Sequence, residues 1–123
     1  MIYEISQRFC FDAAHTLKRD IEAAGSARIH GHTYYAEVSI VGTRDEHTGM
    51  VVDLGHLKID LERMRQKLDH HFLDEITGLG IPTLENLCAF IASELQLNFP
   101  NLSQVTVMRK SAGDKCILRL RSI

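Results

Sequence analysis

Residues 2–11, IYEISQRFCF, alternate with period two: Tyr3, Ile5, Phe9 and Phe11 fall on one side, Glu4, Ser6, Arg8 and Cys10 on the other. Successive side chains of an extended chain point to opposite faces, so the segment reads as a strand. Residues 33–42, TYYAEVSIVG, repeat the pattern, with Tyr34, Ala36, Val38 and Ile40 set against Tyr35, Glu37, Ser39 and Val41. Residues 16–29 between them read as an irregular loop, long enough for a functional role to be expected of it.

Past residue 42 the periodicity changes. A polar turn over residues 43–49 leads to Asp53, a residue type that caps helices. Leu54, Leu57, Leu61, Met64 and Leu68 then recur at helical spacing and mark one apolar stripe on a helix of about four turns. Pro82-Thr83 opens a second helix, with Thr83 as N-cap and Leu84, Leu87, Cys88, Ile91 and Leu95 facing inward; Asn98-Phe-Pro-Asn101 stops it. Residues 104–109 and 115–121 read as two more strands, joined by a turn containing Gly113-Asp114. The order ββααββ predicts an α+β fold, an antiparallel sheet with both helices on one face. The opposite face carries Glu4, Arg8, Glu37, Arg119 and Arg121. It either meets water or lines the polar lumen of a barrel that several copies close, because four strands are too few to close one.

The bulk numbers narrow the class. A chain of 123 residues suits one domain over residues 1–123. A 45% hydrophobic and 24% charged composition is that of a globular chain. The net charge of −2 leaves no basic stripe for nucleic acid. The start, Met1-Ile-Tyr-Glu4, has no signal-peptide pattern, and no apolar run approaches the ~18–20 residues of a membrane span. Cys10, Cys88 and Cys116 lie inside predicted elements and read as reduced, mostly buried thiols, so a cytoplasmic location is expected.

The histidines carry the chemistry. His30-Gly31-His32 puts two imidazoles two residues apart, pointing the same way if the strand begins there. The glycine between them lets the backbone bend close to a ligand. His15, at the far end of the first strand, meets them if the two strands pair as a long-looped hairpin. Three imidazoles without a fourth Cys or His describe an open zinc site of catalytic type, with one position left for water or substrate. His47 and His56 read as solvated or capping residues. Asp69-His70-His71 closes the first helix and has two readings of equal weight: a cationic end favoured by the helix dipole, or a carboxylate-oriented imidazole acting as acid or base.

The pieces Phe11-Asp-Ala-Ala-His15, His30-Gly-His32, Gly49-Met-Val-Val-Asp53, Leu57-Lys58, Leu68-Asp-His70 and Pro82-Thr-Leu-Glu-Asn86, in order over nearly the whole chain, resemble the 6-pyruvoyl-tetrahydropterin synthase / 6-carboxy-tetrahydropterin synthase family. The resemblance implies the tunnelling fold, in which three ββααββ chains close a twelve-stranded barrel and two trimers stack into a hexamer. It implies 7,8-dihydroneopterin triphosphate or a close relative as the small-molecule substrate. It further implies a zinc ion on His15, His30 and His32 as Lewis acid, and Asp69 and His70 as catalytic partners of a cysteine from a neighbouring subunit. The branch similar in pattern makes 6-carboxy-tetrahydropterin for the deazapurine (queuosine) pathway.

Two positions depart from that pattern. Ser26 stands where the family has its cysteine, and a hydroxyl is a far poorer base than a thiol of pKa ~8.5. Arg109 stands where the family anchors the pterin ring with a glutamate; an arginine offers only donors and cannot replace that contact. Thr83 and Glu85 match the family, and Glu85 is the remaining candidate for the ring. Three readings follow: a pterin-forming lyase relying on His70, a paralogue with the same metal chemistry on another substrate, and a binding protein without turnover.

Overall fold

The computed structural model describes residues 1–121. Its elements run β1 (Tyr3–His15), α1 (Ala23–Ala27), β2 (His30–Gly42), α2 (Leu54–Leu68), a 3-10 turn (Leu73–Glu75), α3 (Leu84–Leu95), β3 (Leu102–Arg109) and β4 (Asp114–Arg119). The strands form one antiparallel sheet in the order β1-β2-β3-β4. The α+β fold with an antiparallel sheet and both long helices on one face is therefore as the periodicity predicts: α2 packs on β1, and α3 on β3 and β4.

The first hairpin reaches further than the alternation alone suggests. Both of its strands are 13 residues long, and the register runs unbroken from Tyr3↔Gly42 to His15↔His30. Asp12-Ala-Ala-His15 has no β-branched or aromatic residue to announce a strand. It becomes one because one edge pairs in register with residues 30–33, while on the other Asp12 N–H donates to Asp69 Oδ1, Asp12 O accepts from His70 N–H and Ala14 N–H donates to His71 O. The connecting loop is also less irregular than expected. One helical turn, α1, forms inside it, with Ser26 N–H donating to Glu22 O at 2.9 Å and Leu17 N–H to Ser26 O at 2.8 Å.

The core lies between the sheet and the helices. Leu57, Leu61, Met64 and Leu68 of α2 and Leu87, Cys88, Ile91 and Leu95 of α3 are buried against Phe11, Tyr34, Ala36, Val38, Val105 and Val107. Leu54 departs from the predicted stripe and is exposed, as the first residue of its helix. Asp53 Oδ1 accepts from Gly55 N–H at 2.8 Å and Thr83 Oγ1 from Asn86 N–H at 3.1 Å, so both expected caps form.

The other sheet face is polar. Arg8 Nε donates to Glu37 across β1 and β2 at 2.6 Å, and Arg119 to Gln104 across β3 and β4 at 3.0 Å. Among the described residues neither β1 nor β4 has a second strand partner. Cys10 lies exposed here, against the expectation of a buried thiol, because an even-numbered residue of β1 points away from the helices. Among the described residues no helix is long and apolar enough to cross a membrane.

The two faces contribute unequally to stability. Ile91→Ala, which empties a fully buried position, should lower the unfolding free energy by about 2–5 kcal/mol. Arg8→Ala, which removes an exposed pair, should cost less than about 1 kcal/mol. Urea denaturation of the two variants reads both values.

Candidate metal centre

Strand parity decides which side chains meet. Odd positions of β1 and even positions of β2 face the helices, so Phe11, Ala13 and His15 share a face with His30, His32 and Tyr34. The register sets His15 opposite His30 and Ala13 opposite His32, and the small alanine leaves room for the imidazoles to converge. The ring centroids lie 4.5 Å (His15–His30), 4.8 Å (His15–His32) and 4.9 Å (His30–His32) apart. One nitrogen from each ring lies within 4.8 Å of the others.

Hydrogen bonds set which nitrogen is free. His15 Nδ1–H donates to Pro82 O at 3.2 Å and His30 Nδ1–H to Arg28 O at 2.8 Å, which leaves Nε2 of each as the lone-pair donor. His15 Nε2 and His32 Nε2 are buried without any hydrogen-bond partner. Buried polar atoms are normally satisfied; imidazole nitrogens aimed at a common centre are satisfied by a metal ion, and the three-histidine set fits zinc with an open position. Burial also favours, in His15 and His32, the neutral form that binding requires. It lowers His15 from its ordinary value, and it lowers His32, with help from the Arg109 charge, to about 4. A Cβ on Gly31 would meet Ala13 O at 3.5 Å, an ordinary contact. The glycine therefore does not serve a close approach to the metal ligands.

Further residues complete the histidine site. Ser26, only 7% exposed, lines a cavity of about 250 Å3 with His15, His30, His32, Arg109 and Asp114. Arg109 Nη2 donates to Asp114 Oδ2 at 2.6 Å. Burial pushes the Tyr34 hydroxyl up to about 12, so it stays neutral, and Tyr34 Oη and Arg109 Nε are buried without partners. Sequence reading brought Ser26 and Arg109 to the site but missed Asp114 and Tyr34. The signal for Asp114 was its place across a tight turn from Arg109.

Asp69 and His70 lie elsewhere in the chain's own fold. With Asp12, Gly31, His32, Thr33 and Phe72, His70 lines a second cavity of about 610 Å3, which shares His32 with the first. Asp69 is held from three sides: Asp12 N–H donates to its Oδ1 at 2.9 Å, Arg65 Nη1 to its Oδ2 at 2.8 Å, and its own N–H caps α2 on Arg65 O. The Asp12 amide and the nearby His70 and Arg65 charges keep its carboxyl below the usual range. His70 Nε2 stands 4.0 Å from Asp69 Oδ2, with the His70 side chain 79% exposed on a backbone of φ +57°. Thr83 is committed to its cap and Glu85 is exposed; neither lines the histidine cavity. His47 and His56 are exposed, His56 standing 4.0 Å from the Asp53 carboxylate.

Purified protein should carry about one zinc per chain with Zn–N distances of ~2.0–2.1 Å, and His32→Ala should lose it; elemental analysis and X-ray absorption check both. In metal-free protein the folded state resists protonating His32, whose value falls from 6.5 to about 4, while the unfolded chain takes that proton freely. Stability is thus fully present above about pH 6.5 and falls as the pH drops toward 4. A pH series of thermal melts after chelation should show Tm decreasing through that window, and less so in His32→Ala.

The sequence matches the family described as 6-pyruvoyl tetrahydropterin synthase over residues 4–120. A 6-carboxy-5,6,7,8-tetrahydropterin synthase of Synechocystis sp. is 34% identical over 110 residues, 85% of this chain and 84% of that protein. A 6-pyruvoyl tetrahydrobiopterin synthase of Homo sapiens is 32% identical over 111 residues, 79% of this chain and 77% of that protein. The solved structure of Caenorhabditis elegans 6-pyruvoyl tetrahydropterin synthase superposes with a TM-score of 0.83 at 24% identity, covering 97% of this chain and 96% of that one. With both long helices and all of its sheet but Tyr3 inside the matched span, the chain belongs to the 6-pyruvoyl tetrahydropterin synthase family.

Proposed function

We propose that the protein is a zinc-dependent lyase acting on a pterin with a hydroxylated side chain, 7,8-dihydroneopterin triphosphate, in the manner of a 6-carboxy-tetrahydropterin synthase. The observation that carries this reading is the cluster of three imidazoles, with His15 Nε2 and His32 Nε2 buried unpartnered, beside the buried Ser26. A zinc ion held there supplies a Lewis acid toward the side-chain hydroxyls. Relatives at 34% and 27% identity that bear the 6-carboxy name support that branch of the family.

The chain's own groups then divide the work. Ser26, in place of a thiol, orients a hydroxyl or a water by hydrogen bonding and leaves proton transfer to a stronger base. His70 is that base, exposed beside a carboxylate that Arg65 and the Asp12 amide hold ionised. His70 and Ser26 line two cavities that share His32, and this proposal, as the family resemblance implies, pairs the Ser26 of one copy with the His70 of a neighbour. The polar sheet face and the unpartnered edges of β1 and β4 support that assembly, a trimeric barrel doubled to a hexamer. Thr83 and Glu85 belong in this proposal to substrate contacts made across the chain boundary. A second reading, the same chemistry on another substrate, draws on Ser26 and Arg109, the positions that depart from the family pattern.

Incubation of the zinc-loaded protein with dihydroneopterin triphosphate, followed by fluorescence-detected pterin analysis, should yield 6-carboxy-tetrahydropterin. His70→Ala should lower turnover by ~10²–10⁴-fold, and Ser26→Cys should raise it. Equal rates in wild type and Ser26→Cys would remove Ser26 from the chemistry. Light scattering should give a trimer or hexamer; a stable monomer at micromolar concentration contradicts the shared site.

A further inference from the structure

We infer that Asp74 is a positioning residue for the metal centre: by clamping Thr16 it fixes His15 and at the same time keeps the Asp69-His70 segment on the edge of β1. The inference rests on the metal centre in the reading above and goes beyond it, because it joins the two cavities into one unit.

Past Phe11 the outer edge of β1 is covered by its own chain. The even-numbered amides there turn away from β2, and residues 69–74 take those of Asp12, Ala14 and Thr16. Asp12 N–H donates to Asp69 Oδ1 at 2.9 Å, Ala14 N–H to His71 O at 3.1 Å and Thr16 N–H to Asp74 Oδ1 at 2.9 Å. In the other direction His70 N–H donates to Asp12 O at 2.6 Å, and Ala14 bridges Phe72 in parallel. The segment thus begins and ends on a carboxylate that receives a β1 amide. The first, Asp69, also accepts from Arg65. The second, Asp74, commits both oxygens to one residue, because Thr16 Oγ1–H donates to Asp74 Oδ2 as well.

Thr16 directly follows His15, and the ladder with β2 ends at His15↔His30. The end of a ladder opens easily unless the residue beyond it is tied down. Asp74 supplies that tie from a stiff support. It sits in the 3-10 turn, where Leu73 is fully buried and the Glu75 and Ile76 amides donate to Phe72 O and Leu73 O at 3.0 and 3.1 Å. The His15 ring is held separately, by Pro82 O at 3.2 Å. Backbone and ring of one ligand are therefore set by two elements outside the hairpin, which is how outer groups orient a metal ligand. Asp74 could merely satisfy an amide where a loop starts. One bond would do that; two bonds fix the direction in which Thr16, and with it His15, leaves the strand. Whatever orders residues 12–16 also orders His70, whose backbone at φ +57° is uncommon for a residue with a side chain and is bonded to Asp12 O. Zinc on His15 and order at His70 are thereby linked, and such linkage is reciprocal.

The test is zinc affinity, read by competition with a chromophoric chelator, in wild type, Asp74→Ala, Asp74→Asn and Thr16→Val, together with amide hydrogen exchange with and without zinc. Asp74→Ala should weaken zinc by ~10–100-fold, the range for an outer group that orients a ligand. Asp74→Asn keeps an oxygen for Thr16 N–H and an amide that donates to Thr16 Oγ1, so it should stay close to wild type. Thr16→Val, which keeps the backbone bond and the side-chain shape, should weaken zinc in the same direction but less. Zinc should slow exchange of the Ala14 and His70 amides in wild type, and the effect should shrink in Asp74→Ala. Asp74→Asn as weak as Asp74→Ala means that charge acts and not the clamp, and overturns the inference. Unaltered zinc affinity in Asp74→Ala overturns it too, whatever happens to the Tm, as does His70 exchange that ignores zinc in wild type. If Asp74→Ala does not fold, Thr16→Val decides, and wild-type affinity there overturns the inference. Wild type that binds zinc but leaves dihydroneopterin triphosphate unchanged sinks the pterin reading alone; wild type that binds no zinc sinks both.

Discussion

The pairing of β1 with β2 is the constraint on which the rest depends. One register, running from Tyr3↔Gly42 to His15↔His30, lays the apolar side chains of both strands under the helices and delivers three imidazoles to one point at the open end. A slip of one residue would turn every side chain of a strand to the other face, expelling His15 from the cluster and Phe11 from the core together. The register that buries the core is therefore also the one that gathers the three histidines. The hydrophobic core enforces a geometry that the histidines, costly to bury with unpaired nitrogens, would not adopt alone.

That geometry also accounts for the electrostatics. The same burial that leaves His15 and His32 without partners holds both in the neutral form that a cation needs. Arg109 adds to the effect on His32 from the neighbouring strand, and Asp114 tempers the arginine in turn. The centre is thus shaped by two hairpins, one supplying ligands and the other a charge pair.

The opposite face follows another logic. Arg8, Glu37, Arg119 and Gln104 pair with each other at the surface, where such bonds contribute little stability. Asp69 and His70 sit at the end of α2, fixed by Arg65 and by Asp12 of β1, with the imidazole facing outward. The carboxylate is thus fixed while the imidazole beside it stays open to solvent.

Much of this was legible in the residues. Alternation in 2–11 and 33–42 and the Leu57/Leu61/Met64/Leu68 stripe determined the sheet, the helices and their common face, because burial forces those periods on a chain. The spacing His30-Gly-His32, with His15 on the partner strand, pointed to the candidate ligand set, because alternate residues of a strand share a face. The extension of β1 through Asp12-Ala-Ala-His15 was not legible, since those residues carry no strand preference and pair only because their partners are in place. Nor were the one turn of helix that carries Ser26 to the cavity wall or the place of Asp114 in that wall. Each depends on distance across the fold, which local preference does not encode: the sequence by itself determined which faces are apolar and which residues are candidates for a site, and only the tertiary structure decided which of them share a cavity.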